Sequence, residues 1–411
     1  MKVVHVNHSD IGGGAGRAAY RIHHALRLLG VDSRMYVVSA SAGDWTVETM
    51  GGAWLSKIDM LRPFLGASVA KILRMGRKGR YLPAVIPSRW PKLLNNLNLD
   101  VIHLHWLAGE MMSVADIGQL RGPVVWTLHD MWAFDGTEHF TGDFRWRDGY
   151  SRQNRPANES GFDVNRWIWQ RKQKHWRRPM HIVAPSRWLA DCARESVIMR
   201  DWSASVIPNA IDTEVWRPID KAFARNILGL PAECPLLLFS AFGGTEDPRK
   251  GFDLLKGALD QLRSKIRGLE LIVLGQSPPK KPLDLGFPIH FAGRLHDDVS
   301  LCLHYNAADA VVVPSRQESF SNVCAEAHAC GTPAVVFNAT ALGNIVEHEV
   351  TGYLAKPFDT QDLAQGIIYV IADADRRAML SAQSRQAAVS KFSYPVVAEQ
   401  YLQLYEKVCR A

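Results

Sequence analysis

Apolar residues along this chain fall into short continuous runs. Between the runs lie longer stretches in which apolar positions recur every three or four residues. Short runs of this kind predict strands buried on both faces, and the longer periodic stretches predict amphipathic helices packed over them. In the first half the expected strands are Val3–Asn7, Ser33–Val38, Val101–His105, Val124–Leu128 and Ile182–Ala184. In the second half they are Leu236–Ser240, Leu271–Leu274, Ile289–Ala292, Ala310–Val313 and Ala334–Phe337. Strict alternation of strand and helix predicts parallel sheets with helices on both faces. The alternation breaks at Ile207-Pro208-Asn209-Ala210-Ile211-Asp212, where a linker is expected, and Tyr394–Val408 reads as a closing helix. The expected fold is therefore α/β: two doubly wound, Rossmann-like domains facing across a cleft. Residues 1–212 form the first domain, 213–391 the second, and 392–411 a helix returning toward the first.

A length of 411 residues suits two such domains. No apolar run approaches the length of a membrane span, and Met1–Asn7 reads as a first buried strand and not as a signal peptide. The six cysteines (Cys192, Cys234, Cys302, Cys324, Cys330, Cys409) have no paired spacing, so reduced core thiols of a cytoplasmic protein are expected. The net charge of +7 calls for an acidic partner. Nine Lys/Arg and one acid lie between Lys57 and Lys92, interleaved with apolar residues. That pattern fits either a solvated helix face or a peripheral contact with an anionic membrane surface. No nucleic-acid motif accompanies it. A second basic stretch, Arg166–Arg178, carries Trp167, Trp169 and Trp176 and fits a helix packed against the first domain.

The chemistry concentrates after the run Ala310-Val311-Val312-Val313-Pro314. There the chain reads Glu318-Ser319-Phe320-Ser321-Asn322-Val323-Cys324-Ala325-Glu326 and closes on Gly331-Thr332-Pro333. Strand, loop, helix, glycine stop and strand make a βαβ unit, with Glu318 in the loop and Glu326 roughly two turns into the helix. Loops at the carboxyl ends of parallel strands bind ligands, and N–H groups of Ser319–Asn322 at the helix start suit an anion. Carboxylates flanking an anion site suit a nucleotide-sugar, whose hydroxyl-rich rings flank a diphosphate. Two solvated glutamates on a surface helix would show the same spacing.

Three other constellations bear on the choice. Gly12-Gly13-Gly14-Ala15-Gly16-Arg17 follows the first strand, but its spacing lacks the third glycine of a dinucleotide fingerprint, and no acid ends the next strand. It reads as a tight turn through which Gly14 could approach a donor phosphate or the acceptor. Asp247-Pro248-Arg249-Lys250-Gly251, after the glycines Gly243 and Gly244, presents two cations suited to a leaving diphosphate. Trp126-Thr127-Leu128-His129-Asp130-Met131-Trp132 puts His129 at a strand end, whereas His103 and His105 read as structural. Asp373-Ala374-Asp375 imitates a metal-binding pair but lies in a helical stretch, so no metal site is assigned.

Together Asp309–Phe337, Arg249-Lys250-Gly251 and the strand-end His129 resemble the signature of the retaining glycosyltransferases of family 4, which have the GT-B fold. The Thr-Leu-His-Asp-Met-Trp segment followed by His139 resembles a branch that builds bacterial surface polysaccharides. Glu138 stands where that branch often has Cys, Gly244 where many members have Arg, and Asn344 where an acid is usual. The resemblance implies transfer of a sugar from a UDP- or GDP-sugar to a saccharide or lipid-linked saccharide, with no cofactor. The implied catalytic residues are His129, Arg249, Lys250 and Glu318. The implied donor-binding residues are Gly14, Gly244, Ser319, Phe320, Ser321, Asn322 and Glu326. Alternatives are a non-catalytic nucleotide-sugar-binding subunit, or a GT-B sugar phosphorylase or epimerase.

Overall fold

The computed structural model describes residues 1–49, 61–66, 68–69, 71, 81–157, 159–240, 247–279 and 283–410. It divides into two compact units, Met1–Pro208 with Val397–Ala411, and Asn209–Val396. The division falls inside the expected linker, a few residues before the sequence boundary, and the closing helix Tyr394–Arg410 belongs to the first unit from Val397 onward.

The first unit holds a parallel sheet in the order β3-β2-β1-β4-β5-β6-β7. Its strands are β1 (Lys2–Ser9), β2 (Asp32–Ser39), β3 (Val47–Thr49), β4 (Val101–Leu104), β5 (Val124–Thr127), β6 (His181–Ala184) and β7 (Ala204–Val206). The second unit holds another in the order β10-β9-β8-β11-β12-β13. These strands are β8 (Leu236–Ser240), β9 (Glu270–Leu274), β10 (Ile289–Gly293), β11 (Ala310–Val313), β12 (Ala334–Phe337) and β13 (Gly352–Ala355). All ten expected strands form within a residue or two of their apolar runs. Three edge strands, β3, β7 and β13, were not among them: Val-Glu-Thr and Ala-Ser-Val are too short and polar to register as buried runs, and Gly-Tyr-Leu-Ala opens on glycine. In each sheet the order reverses once, between β1 and β4 and between β8 and β11. Ligands bind beyond the carboxyl ends of strands at such switch points.

Both faces of the second sheet are covered by apolar side chains, with Trp216 and Tyr305 on one and Leu255, Leu259, Leu363 and Ile367 on the other. In the first unit the basic stretch forms the helix Val164–His175, and it packs as expected: Ile168, Trp169 and Trp176 are buried in a tryptophan-rich core. Lys172 is wholly internal. Its ammonium donates to the carbonyls of Trp132, Asp135 and Gly136 and sits 4.0 Å over the Trp132 ring. Burial pushes its pKa down to about 7. Asp373 accepts from the Arg376 N–H as the N-cap of the helix Ala374–Phe392, which gives this acid a capping role. All six cysteines are free thiols. Within the basic segment from Lys57 to Lys92, residues 57–60, 67, 70 and 72–80 lie outside the described residues.

Candidate active site

The loop after β11 runs through Pro314 to Phe320, and Ser321 then caps the helix Asn322–Ala329 by accepting from the Cys324 N–H at 3.4 Å. Because this helix begins at Asn322, Glu326 opens its second turn and does not lie two turns in. Gly331, at φ +74°, ends the segment in the left-handed conformation that glycine adopts without strain. Glu318 is partly buried. Its backbone N–H donates to Thr340 Oγ1 at 3.0 Å. Its Oε1 accepts from Ser315 Oγ at 2.9 Å and from Lys250 Nζ at 2.6 Å.

Lys250 reaches Glu318 because two loops at the switch point dock against each other. Asp247 caps the turn Pro248–Lys250, and Gly251 follows at φ +65°. A Cβ on Gly251 would lie 1.9 Å from the Pro314 carbonyl oxygen, so only glycine lets the loop after β8 sit against the end of β11. Arg316 fastens the same contact. Its N–H donates to the Arg249 carbonyl at 2.7 Å, and its guanidinium bridges Asp253 at 2.8 and 2.7 Å. Arg249 turns instead toward Asp247, at 3.1 and 2.7 Å. The hydrogen bonds and charge of Arg249 outweigh desolvation and hold Asp247 below the usual carboxylate range. Of the two expected cations, then, Lys250 is brought to Glu318 and Arg249 is committed within its own loop. Gly244 lies outside the described residues.

Glu326 is 4% exposed and accepts from the Tyr305 hydroxyl at 3.3 Å. Burial, with the Glu326 charge adding to it, pushes Tyr305 well above its usual range. Phe320 packs edge-on against Phe392 in the core, which leaves only its backbone for a ligand. The Ser321 hydroxyl is used as the cap, and Asn322 Oδ1 accepts from Asn209 Nδ2 at 2.9 Å. Ser319 is partly buried in the loop between Glu318 and the cap.

His129 and Gly14 belong to the first unit. His129 follows β5 and is partly exposed, with its Nε2 3.1 Å from His105 Nδ1. Burial pushes its pKa down to about 4 against the opposing charge of Asp130, so the ring is neutral. Asp130 itself is turned away, toward His139 Nδ1 at 2.5 Å and the Trp106 indole N–H at 2.9 Å. Those groups and His129 line one shallow pocket. His103 is structural as expected, with its two ring nitrogens 2.6 Å from the Tyr405 hydroxyl and 2.7 Å from Thr127 Oγ1. Gly14 is the second residue of the helix Gly13–Leu28. The glycine spacing around it has a packing cause, since a Cβ on Gly12 would lie 2.6 Å from Ser9 Oγ.

Thr340, Tyr305, Arg316 and His105 act at these positions without having been singled out as site residues. Thr340 and Tyr305 reach Glu318 and Glu326 only through the fold, and no local pattern marks them. Arg316 was legible in principle, as a cation two residues before Glu318 facing an acid at the start of the helix Phe252–Leu262.

Comparison with known proteins bears on what such a site belongs to. Residues 12–215 match the family described as Glycosyltransferase Family 4, and residues 236–373 the one described as Glycosyl transferases group 1. The chain is 30% identical over 335 residues to a D-inositol 3-phosphate glycosyltransferase of Xylanimonas cellulosilytica, a match covering 76% of this chain and 72% of that one. Matches to several others of that name span about half of their length. In fold it is similar to the sucrose-phosphate synthase of Thermosynechococcus elongatus, with a TM-score of 0.68 at 19% identity over 99% of both chains. It is also similar to Anabaena HepE, solved with UDP-glucose, with a TM-score of 0.65 at 18% identity over 99% of this chain and 100% of that one. With its two parallel-sheet units, the chain belongs to the group 1 and family 4 glycosyltransferases, as a GT-B enzyme that uses a nucleotide-sugar donor.

Proposed function

We propose that this enzyme is a retaining glycosyltransferase that moves a sugar from UDP- or GDP-sugar to a hydroxyl of a saccharide or lipid-linked saccharide, in building cell-surface polysaccharide or lipopolysaccharide. The observation that carries the reading is the Lys250–Glu318 contact at the β8/β11 switch point, beside the start of the helix Asn322–Ala329. Lys250, with Arg249 released from Asp247, stabilises the diphosphate, whose charge grows as it leaves. Glu318 and the backbone of Ser319, Phe320, Ser321 and Asn322 hold the sugar, and Glu326 holds the ribose. Gly14 and Gly244 allow close backbone approach to the phosphates, and His129 stands near the reacting carbon. The bond from the anomeric carbon to the diphosphate oxygen breaks. The acceptor oxygen bonds on the same face, and its proton passes to the departing diphosphate. A carboxylate already bound by a lysine and a serine is poorly suited to act as base or nucleophile, so the support for this route is the engagement of Glu318 itself.

UDP as the donor nucleotide is supported by HepE, which was solved with UDP-glucose. A second reading of the acceptor, a polyol phosphate, is favoured by the name of the 30% identical relative. A panel of UDP- and GDP-sugars against oligosaccharide, lipid-linked saccharide and D-inositol 3-phosphate acceptors separates the two. Product NMR should show the donor's anomeric configuration kept, and an inverted anomer would overturn the retaining assignment. Sugar phosphate formed from a saccharide and inorganic phosphate would favour a phosphorylase, interconversion of the nucleotide-sugar with no acceptor an epimerase, and no turnover at all a binding subunit. Peripheral contact with anionic membrane through residues 57–92 is part of the proposal, supported by their charge and by the exposed Leu61, Phe64 and Leu65. No described helix is long and apolar enough to cross a membrane. Co-sedimentation with phosphatidylglycerol vesicles at low salt should pull the enzyme down, and an unbound enzyme would remove the membrane contact.

A further inference from the structure

The first unit contains a layer that a doubly wound core does not need: imidazoles packed side by side on the switch-point strands β1 and β4 and the residues that follow β4 and β5. His5 on β1 and His103 on β4 are register partners, and His105 lies two residues further along the chain from His103. All three are at most 2% exposed. His5 Nδ1 lies 2.9 Å from His105 Nε2, and His105 Nδ1 lies 3.1 Å from His129 Nε2. The rings stack in the same order, His5 on His105 at 5.2 Å and His105 on His129 at 5.4 Å. The far end of the chain is closed: His5 Nε2 is buried with no hydrogen-bond partner among the described residues.

A neutral imidazole has one N–H donor and one bare acceptor nitrogen. Three neutral rings joined by two hydrogen bonds therefore have only two proton arrangements. In one, His129 donates from Nε2 to His105, His105 donates to His5, and His5 is left with an N–H aimed at no partner in the core. In the other, His5 donates from Nδ1, His105 donates from Nδ1, and the unmet group is a bare lone pair on His5 Nε2. Orphaned buried N–H donors are the rarer defect. We propose that His5 and His105 are positioning residues whose chain of hydrogen bonds fixes His129 as the Nδ1–H tautomer, presenting a permanent hydrogen-bond donor to the substrate. The last clause rests on the reading that His129 stands beside the reacting sugar. Fixed in this way, His129 accepts from His105 and donates to a sugar hydroxyl or phosphate oxygen, and it neither gives nor takes a proton during transfer.

One nitrogen from each of His5, His103 and His105 lies within 4.8 Å of the others, so a metal ion is the competing explanation. His103 argues against it, because both its nitrogens are already bonded, at 2.6 and 2.7 Å. A metal would have to break one of those bonds and one of the two hydrogen bonds of His105 as well.

Two-bond proton–nitrogen NMR of the full-length enzyme labelled at its imidazole nitrogens reads the tautomer directly, with His129 assigned by its loss in His129→Asn. The expected spectrum has a protonated Nδ1 and a pyridine-like Nε2, the reverse of the tautomer that free histidine prefers. A protonated Nε2 overturns the proposal, as does stoichiometric zinc in the purified enzyme or tight zinc uptake lost in His5→Leu. His105→Leu should release the tautomer and lower kcat by about 10- to 100-fold with little change in donor KM. His105→Asn, whose amide N–H takes the place of Nδ1–H, should restore most of both. Should His105→Leu fail to fold, His5→Leu leaves the His105–His129 contact in place but frees its direction, and the same mixed tautomer is expected. If the tautomer is as stated but His129→Ala turns over like wild type, the placement of His129 at the substrate fails and the hydrogen-bond chain does not.

Discussion

Lys250 and Glu318 are one unit of chemistry, since each is positioned by the other and by a loop the other does not belong to. Removing Lys250 leaves the Glu318 carboxylate bonded to Ser315 and its backbone to Thr340, so Lys250→Ala should keep the fold while lowering kcat by roughly 10²–10³-fold. Acceptor-dependent nucleotide release with a parallel thermal-unfolding scan checks both halves. Glu326→Ala should act on binding: losing a charged hydrogen-bond acceptor for the ribose should raise the donor's Kd about tenfold or more. Isothermal titration with UDP reads this, and an unaltered Kd would remove the ribose role. Both glutamates and Lys250 were legible because each sits at a fixed distance from the end of an apolar run. Tyr305 and Thr340 were not, because their reason for being there is a contact with a neighbouring helix or loop remote in sequence.

The docking of the loops after β8 and β11 is what makes the site an element-level property. Gly251 carries that docking through both its positive φ and its contact with the Pro314 carbonyl, so Gly251→Ala should displace the turn and with it Lys250. A stability loss of about 2 kcal/mol or more is expected, with turnover falling as in Lys250→Ala. Urea unfolding measures the first. A stable Gly251→Ala variant with full activity would show that the docking is dispensable. The sequence marked this glycine as part of a diphosphate motif, yet the structure gives it a packing reason as well. Helix starts were harder to place than strands: the chain up to Ser321 stays in the loop because the Ser321 hydroxyl is the cap. That shift puts Glu326 in the second turn.

Across the whole molecule the two parallel sheets were readable because most inner strands are buried on both faces, and β2, exposed on one face, still carries the apolar run Met35–Val38. The edge strands β3, β7 and β13, half polar or opening on glycine, left no such trace. What periodicity did not show was the buried imidazole layer, because a histidine in an apolar run reads as an ordinary strand residue. The layer has a consequence for stability. Burial first, and neighbouring imidazoles second, push His5 and His105 well below 6.5. His23, on the helix Gly13–Leu28 with its ring 5.7 Å from that of His5, is pushed down to about 4 by burial against the opposing charge of Asp44. The unfolded chain binds protons at these positions as pH falls below 6.5, whereas the folded chain does not. These histidines should therefore withdraw stability as pH falls from 6.5 to 4, with His23 alone contributing about 3 kcal/mol to the loss. Urea unfolding of wild type and His23→Leu across that range would show the contribution as a pH-dependent difference, and a difference that does not change with pH would contradict a neutral His23.

The central claim is that a nucleotide-sugar is held and activated at the Lys250–Glu318 contact. Its most direct test is acceptor-dependent turnover of the best nucleotide-sugar by wild type and Lys250→Ala, side by side at saturating donor. Nucleotide release that requires acceptor in the wild type and falls at least about 10²-fold in the variant is the predicted result. Equal turnover by the two proteins would contradict it.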